Sequence, residues 1–279
     1  MASKLAISAT IRLPKSGTQL PLLGLGVALN LENCKPACIT ALKHGYRHID
    51  SARMYYNEAQ VGEAVRESGI PREQVFLTSK IRNEEHGYDV ALASVDDSLK
   101  KFGFDYLDLM LIHSAKSDKQ RRLDTWRALI EAKKQGKLRA IGVSNYGVKH
   151  LEEIREAGLE TPDVNQIELQ PLNQQREIVE YCRKHDVVVE AYAPLMRTRW
   201  NYPEILETAE KYNKGPAQIL VRWSLQHGFV PLPKSSDPAR VVSNADVFDF
   251  ELSPEDMARI DSLDRGKEGS ITWNPVDCD

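Results

Sequence analysis

The chain has 279 residues, 42% hydrophobic and 28% charged, with a net charge of -3; these are proportions of a core-forming globular chain rather than a disordered or fibrous one. Such a balance offers no basic field to nucleic acid or to an anionic membrane, so an anionic ligand has to meet locally placed cations. No apolar run approaches the ~20 residues that span a bilayer, and Met1-Ala2-Ser3-Lys4-Leu5 lacks the apolar segment of a secretory signal, which makes the reducing cytoplasm the expected compartment.

The chain opens with Thr10-Ile11-Arg12-Leu13 and Gly17-Thr18-Gln19-Leu20, a pattern that predicts a β-hairpin plugging the floor of the fold that follows. A series of apolar, strand-like runs comes next. They are Leu22–Leu25, Tyr46–Asp50, Val75–Lys80, Leu107–His113, Ala140–Val143, Val164–Leu169, Val187–Tyr192 and Phe229–Leu232. Helical periodicity fills the intervals: Val61, Ala64, Val65 and Ser68; then Leu123, Trp126, Leu129 and Ile130; then Val148, Leu151 and Ile154. Asn57 and Ser253 stand where helix N-caps are expected, and Gly69 and Gly136 where left-handed C-caps are expected.

Eight strands alternating with helices predict an α/β fold, a (β/α)8 TIM barrel with an N-terminal β-hairpin, as one domain over 1–279. The rival doubly wound sheet needs a third glycine that Gly24-Leu25-Gly26-Val27-Ala28-Leu29 does not have. Cys34, Cys38, Cys182 and Cys278 show no metal-type spacing; they read as buried thiols, and no metal is expected.

Polar residues close three successive strands: Asp50, Lys80 and His113, with Tyr55 five residues after Asp50. Carboxyl ends of strands are where a parallel barrel keeps its chemistry. A carbonyl accepts hydride more readily when its oxygen is polarised and then protonated. A tyrosine can supply that proton if a nearby ammonium favours its phenolate. Lys80 fits that task, Asp50 can orient Lys80, and His113 can donate to the developing oxyanion. Singly, each has a bland alternative as packing, cap or surface charge. Their joint placement argues for the site.

Gly45-Tyr46-Arg47-His48-Ile49-Asp50-Ser51-Ala52 with Tyr55, Asn57-Glu58 and Val61-Gly62, then Arg139–Tyr146, then Leu232-Pro233-Lys234-Ser235 with Arg240 and Asn244, resemble the three signatures of the aldo-keto reductase family. The likeness extends over essentially the whole chain and is similar to that of the short diketogluconate-reductase-like members. It implies a catalytic tetrad of Asp50, Tyr55, Lys80 and His113, with Tyr55 as general acid. It also implies NADPH as cofactor, with Ser144, Asn145 and Gln166 on the nicotinamide carboxamide and Tyr192 stacked on the ring. Lys234, Ser235 and Arg240 would take the 2′-phosphate and Asn244 the adenine, while Val27, Asp50, Leu195 and Ser236 complete the expected cofactor set.

The chain departs from the usual pattern at Val27-Ala28, Ser114-Ala115, Ala193 and Ser243. Ser114 and Ala28 stand where bulky aromatics are common, so a wider pocket is expected, closed by Trp200, Tyr202 or Trp273 with Arg197 and Arg199 at its rim. The expected activity is NADPH-dependent reduction of an aldehyde or ketone by a monomer or weak dimer, acting on a small-molecule carbonyl substrate with no nucleic acid or membrane partner. The alternative is an NADPH-binding regulatory subunit with little turnover.

Overall fold

The computed structural model describes residues 5–279; residues 1–4, where the absence of a secretory signal was expected, lie outside the described residues. Ten strands run in chain order: β1 Thr10–Arg12, β2 Gln19–Pro21, β3 Leu25–Gly26, β4 His48–Asp50, β5 Phe76–Ile81, β6 Leu107–Ile112, β7 Leu138–Ser144, β8 Val164–Glu168, β9 Val188–Tyr192 and β10 Val230–Pro231. The α-helices are α1 Cys34–Lys43, α2 Glu58–Ser68, α3 Tyr88–Phe102, α4 Lys119–Lys134, α5 Val148–Glu156, α6 Arg176–Lys184, α7 Pro203–Tyr212, α8 Pro216–Gln226, α9 Pro238–Ser243 and α10 Pro254–Asp261.

Strands β3 to β10 form one parallel sheet in sequential order, each pairing with the next. The sheet closes on itself through a parallel bridge between Gly26 and Lys234, with Gly24 N–H donating to Pro231 O at 3.2 Å and Gly26 N–H to Pro233 O at 3.1 Å. A Cβ on Gly24 would lie 2.6 Å from His48 Nδ1 and from Leu232 Cδ2, so only glycine lets the first strand reach the last. The result is a (β/α)8 barrel.

The hairpin β1–β2 is antiparallel, in register Ile11 with Leu20. Leu13 and Leu20 are fully buried against Phe76, Val164, Val188 and Val230. Each of those four opens its strand, so the hairpin seals the amino-terminal end of the barrel. Asp163 holds the hairpin loop by accepting the N–H groups of Lys15 and Ser16 at 3.1 and 3.0 Å.

Several local expectations shift. The first barrel strand is Leu25–Gly26 rather than Leu22–Leu25, because Leu22 N–H is drawn to Ala9 O in the hairpin. Lys80 is the penultimate residue of β5, and His113 lies one residue beyond β6. Ser253 caps α10 by accepting from Asp256 N–H, whereas Asn57 does not cap α2 with its side chain. Its amide instead donates to Val27 O at 2.9 Å and accepts from Ser51 Oγ at 2.7 Å, tying the β3 and β4 loops together. Gly69 and Gly136 adopt the left-handed conformation, with φ of 73° and 76°. Cys34, Cys38 and Cys182 are buried, but Cys278 is half-exposed in the tail. Among the described residues no helix is long and apolar enough to cross a membrane.

Candidate active site

Strand register explains how distant residues meet. Gly26 aligns with Asp50, Asp50 with Thr78 and Thr78 with Leu109; two steps up each strand come Lys80, Leu111 and then His113. On the other side Gly142 aligns with Val164, Ser144 with Gln166, and Gln166 with Glu190. Side chains two apart share a face, so one parity carries Asp50, Lys80, His113, Ser144, Gln166, Glu190 and Tyr192 toward the barrel axis. The lower members of that face, His48 apart, are mostly apolar and meet the hairpin; the upper ones are polar and meet a cavity.

The cavity, of about 880 Å³, opens at the carboxyl ends of the strands. Asp50, Tyr55 and His113 line it, and Lys80 lies behind them with no exposed surface. Lys80 Nζ donates to Asp50 Oδ1 at 2.6 Å and to Ser51 O at 2.9 Å. The same ammonium stands 5.2 Å from the centre of the Tyr55 ring. Tyr55 and His113 meet edge to face, with ring centres 5.7 Å apart. Tyr55 is carried on the short turn Arg53–Tyr55, anchored by Arg53, whose guanidinium grips Glu85 at 2.7 and 2.8 Å and Asp97 at 2.8 Å.

Electrostatics assign each group a protonation state. Burial opposes the charge of Lys80, but Asp50 and then Tyr55 outweigh it and hold the ammonium above its usual range. Burial pushes the Tyr55 phenol up, against the pull of Lys80, so the phenol keeps its proton. Burial, and then the charge of Lys80, holds His113 well below the usual imidazole range, so its ring is neutral. Among the described residues His113 Nδ1 is buried without a partner, leaving Nε2 as the nitrogen available to a ligand.

Gln166 sits behind this group. Its amide nitrogen donates to Asp50 Oδ2 at 2.9 Å and to Glu190 Oε2 at 2.8 Å, so only its carbonyl oxygen remains to face the cavity. Ser144 Oγ donates to Gln166 O at 2.8 Å. Asn145, in the left-handed conformation at φ 57°, donates to His113 O at 2.9 Å and accepts from Tyr192 Oη at 2.8 Å. Ser144 and Asn145 thus spend much of their hydrogen-bonding capacity on lacing the ends of β6, β7, β8 and β9 together.

Of the other residues singled out for a cofactor, Tyr192, Leu195 and Lys234 line the cavity. Val27 is buried in the core beside it. Ser235, Ser236, Arg240 and Asn244 lie outside the cavity, on the loop after β10 and on and just past α9. Burial, and then the neighbouring Arg240, push the Lys234 ammonium down. The carboxylate of Asp237 stands 3.8 Å from Arg240. Two cations close enough to act on one another suit a multivalent anion.

Several features escaped the sequence reading. Glu190 is fully buried inside β9, where its only sequence signal was an acid within an apolar run; Glu168 ends β8 and binds the carboxyl-terminal tail. Arg53 anchors the Tyr55 turn. Ser114 does not itself line the cavity: it is buried, donating to Asn83 Oδ1 at 2.7 Å. Trp200 and Tyr202 pack in a separate apolar cluster, whereas Ala28, Arg197 and Trp273 do line the cavity.

The profile of the Aldo/keto reductase family matches residues 26–265. The chain is 46% identical over 274 residues to glyoxal reductase of Bacillus subtilis (strain 168), covering 97% of each. It is 41% identical over 258 residues to 9,11-endoperoxide prostaglandin H2 reductase of Trypanosoma cruzi (strain CL Brener), covering 90% of each. Among solved structures, the Bombyx mori aldo-keto reductase in complex with NADP superposes with a TM-score of 0.90 at 31% identity, covering 98% of both chains.

Proposed function

The chain belongs to the aldo/keto reductase family, and from that premise we propose that it reduces an aldehyde or ketone to the alcohol with NADPH, with Tyr55 as the general acid. The observation that carries this reading is the buried Lys80–Asp50 pair set directly behind Tyr55 and opposite His113.

NADPH supplies the hydride when bound. The residues present suit it: Tyr192 and the Gln166 carbonyl on the inner wall, and Lys234 at the cavity edge with Arg240 beyond it for an anionic group. Every other task falls to the chain's own side chains. Neutral His113 donates from Nε2 to the substrate oxygen and aligns it. Tyr55 holds its proton until negative charge develops on that oxygen, then passes it across. Lys80 stabilises the phenolate left behind, and Asp50 keeps Lys80 charged and aimed. With charge supplied only at the moment of transfer, the arrangement favours the transition state over the bound carbonyl.

Glyoxal reduction is the activity named for the Bacillus relative, and small aldehydes are therefore the first substrates to try. The test follows NADPH oxidation by absorbance at the nicotinamide band with glyoxal, an aromatic aldehyde and a ketone, in the parent and in Tyr55→Phe. The variant is expected to lose about 10²–10⁴ in rate, the usual worth of positioned acid catalysis, while still binding NADPH. Near-normal turnover by the variant would falsify the role given to Tyr55. Cofactor binding without turnover of any carbonyl by the parent would instead favour a regulatory subunit.

A further inference from the structure

The carboxylate of Glu168 has no exposed surface and, among the described residues, no cation among its partners, yet it sits at the mouth of the barrel. Burying a charge in this way is costly unless donors surround it. All but one of the donors come from one place, the tail that follows α10. Ile271 N–H donates to Oε1 at 2.8 Å, Thr272 N–H to Oε2 at 2.9 Å, and the Ser270 hydroxyl to Oε2 at 3.1 Å. The Thr272 hydroxyl also donates to Oε2, and Gln170 Nε2 approaches Oε1 at 3.3 Å. Four donors from three consecutive tail residues thus converge on one carboxylate.

That tail is a wall of the cavity. Ile271, Thr272 and Trp273 all line it, and the Trp273 ring centre is 6.3 Å from that of His113. The root of the tail is fixed by shape and by Gln170. Gly269 O accepts from Gln170 Nε2 at 2.9 Å, and a Cβ on Gly269 would lie 1.7 Å from Leu172 O. Beyond that root, Glu168 holds residues 270–272 of the wall beside the cavity. Thr272 Oγ1 also stands 3.3 Å from Tyr192 Oη, which carries the same restraint toward the inner wall.

We propose that Glu168 is a positioning residue for substrate selection: it holds Ile271–Trp273 as the fixed outer wall against which the non-reacting part of a carbonyl compound packs. The proposal rests on the reductase reading above. It predicts that weakening the anchor alters binding of substrates large enough to reach the wall, and spares those that touch only Tyr55 and His113. Glu168→Gln is the sharp variant, since its amide keeps the shape but turns a donor toward the donors of the tail.

Two measurements test it. In amide hydrogen exchange followed by mass spectrometry, Glu168→Gln should expose residues 269–274 to faster exchange while the barrel strands stay protected. In kinetics, KM for an aromatic ketone should rise by roughly ten-fold, the loss of about one charge-assisted hydrogen bond, with kcat on glyoxal and the Kd for NADPH held within a few-fold. Glu168→Asp, which keeps the carboxylate, should recover part of both effects. Unchanged exchange in the tail, or an equal rise of KM for glyoxal and the ketone, overturns the proposal. A parent enzyme that turns over no carbonyl compound would instead sink the reductase reading, with the exchange arm still reporting on the anchor. If Glu168→Gln fails to fold, Thr272→Val removes one of the four donors and should give the same changes at smaller size; no change in either measurement then counts against it.

Discussion

At the scale of single residues, the Lys80–Asp50 pair is both the chemical and the energetic centre of the site. With Lys80 fully buried and Asp50 nearly so, removing either partner leaves the other charge facing only neutral dipoles. Breaking a buried pair from one side typically costs about 3–5 kcal/mol. The two substitutions should differ in rate even where they agree in stability. Lys80→Met removes the cation that stabilises the Tyr55 phenolate and should approach the loss expected of Tyr55→Phe, ~10²–10⁴. Asp50→Asn acts on Tyr55 only through Lys80, and the Ser51 carbonyl still holds that ammonium, so its loss should be smaller. Denaturant melts and kcat against pH for both variants check this, and an Asp50→Asn rate at or below that of Lys80→Met contradicts it. These residues were legible because each is polar where an apolar strand stops. Glu168 and Glu190 were not, since an acid inside or closing a run such as Val164–Leu169 carries no sign of what surrounds it. Their meaning comes from the partners, a tail 102 to 104 positions onward for Glu168 and a neighbouring strand for Glu190.

At the scale of elements, the alternation of strands and helices was plain, but the lengths of the short strands were not. Strands β3 and β10 are two residues each, because the Leu22 and Pro233 backbones are diverted to the hairpin and to barrel closure. Hydrophobic runs mark where a strand is buried, not where its ladder ends. The packing of helices on the barrel is likewise set by close approaches that periodicity does not reveal. Gly62 lies inside α2, where alanine would favour the helix by about 1 kcal/mol. A Cβ there, however, would meet Phe102 O at 2.0 Å and Phe102 C at 2.7 Å, both backbone atoms at the end of α3. Backbone cannot swing aside as a side chain does, so α2 and α3 would have to separate. Overpacking of this kind costs about 1–3 kcal/mol or more. Gly62→Ala is therefore expected to lower the melting temperature despite its better helix propensity. An unchanged or higher melting point, read by circular dichroism, would show that the helices have room to move. Because α2 follows the Tyr55 turn directly, a loss of rate should accompany the loss of stability.

At the scale of the whole molecule, the barrel encloses a set of ionisable groups whose proton balance ties stability to pH. Glu190 is fully buried, with Gln166 Nε2 on one oxygen and, among the described residues, no hydrogen-bond partner on the other, which lies 3.8 Å from His48 Nε2. Asp50 and Lys80 are the charges that act on it. Burial, and then the Asp50 charge, push it up from an ordinary 4.5 to about 8. The folded chain therefore keeps a proton on Glu190 that the unfolded chain releases throughout this window, and stability falls as pH rises across it. The slope for one proton is up to about 1.4 kcal/mol per pH unit. The buried histidines act in the opposite sense and lower down. Burial holds His48 and His86 at about 4 against an ordinary 6.5, so the unfolded chain takes up protons first, and stability is lost as pH falls through that range. Between about pH 6.5 and 8 the histidines no longer contribute and Glu190 is left to set the trend. The free energy of unfolding from denaturant titration should thus fall from pH 6.5 to 8 in the parent. Glu190→Gln, which is always neutral and can keep a contact with Gln166, should flatten that fall and gain stability relative to the parent as pH rises. A decline of equal slope in both proteins would assign the pH dependence to groups elsewhere in the barrel.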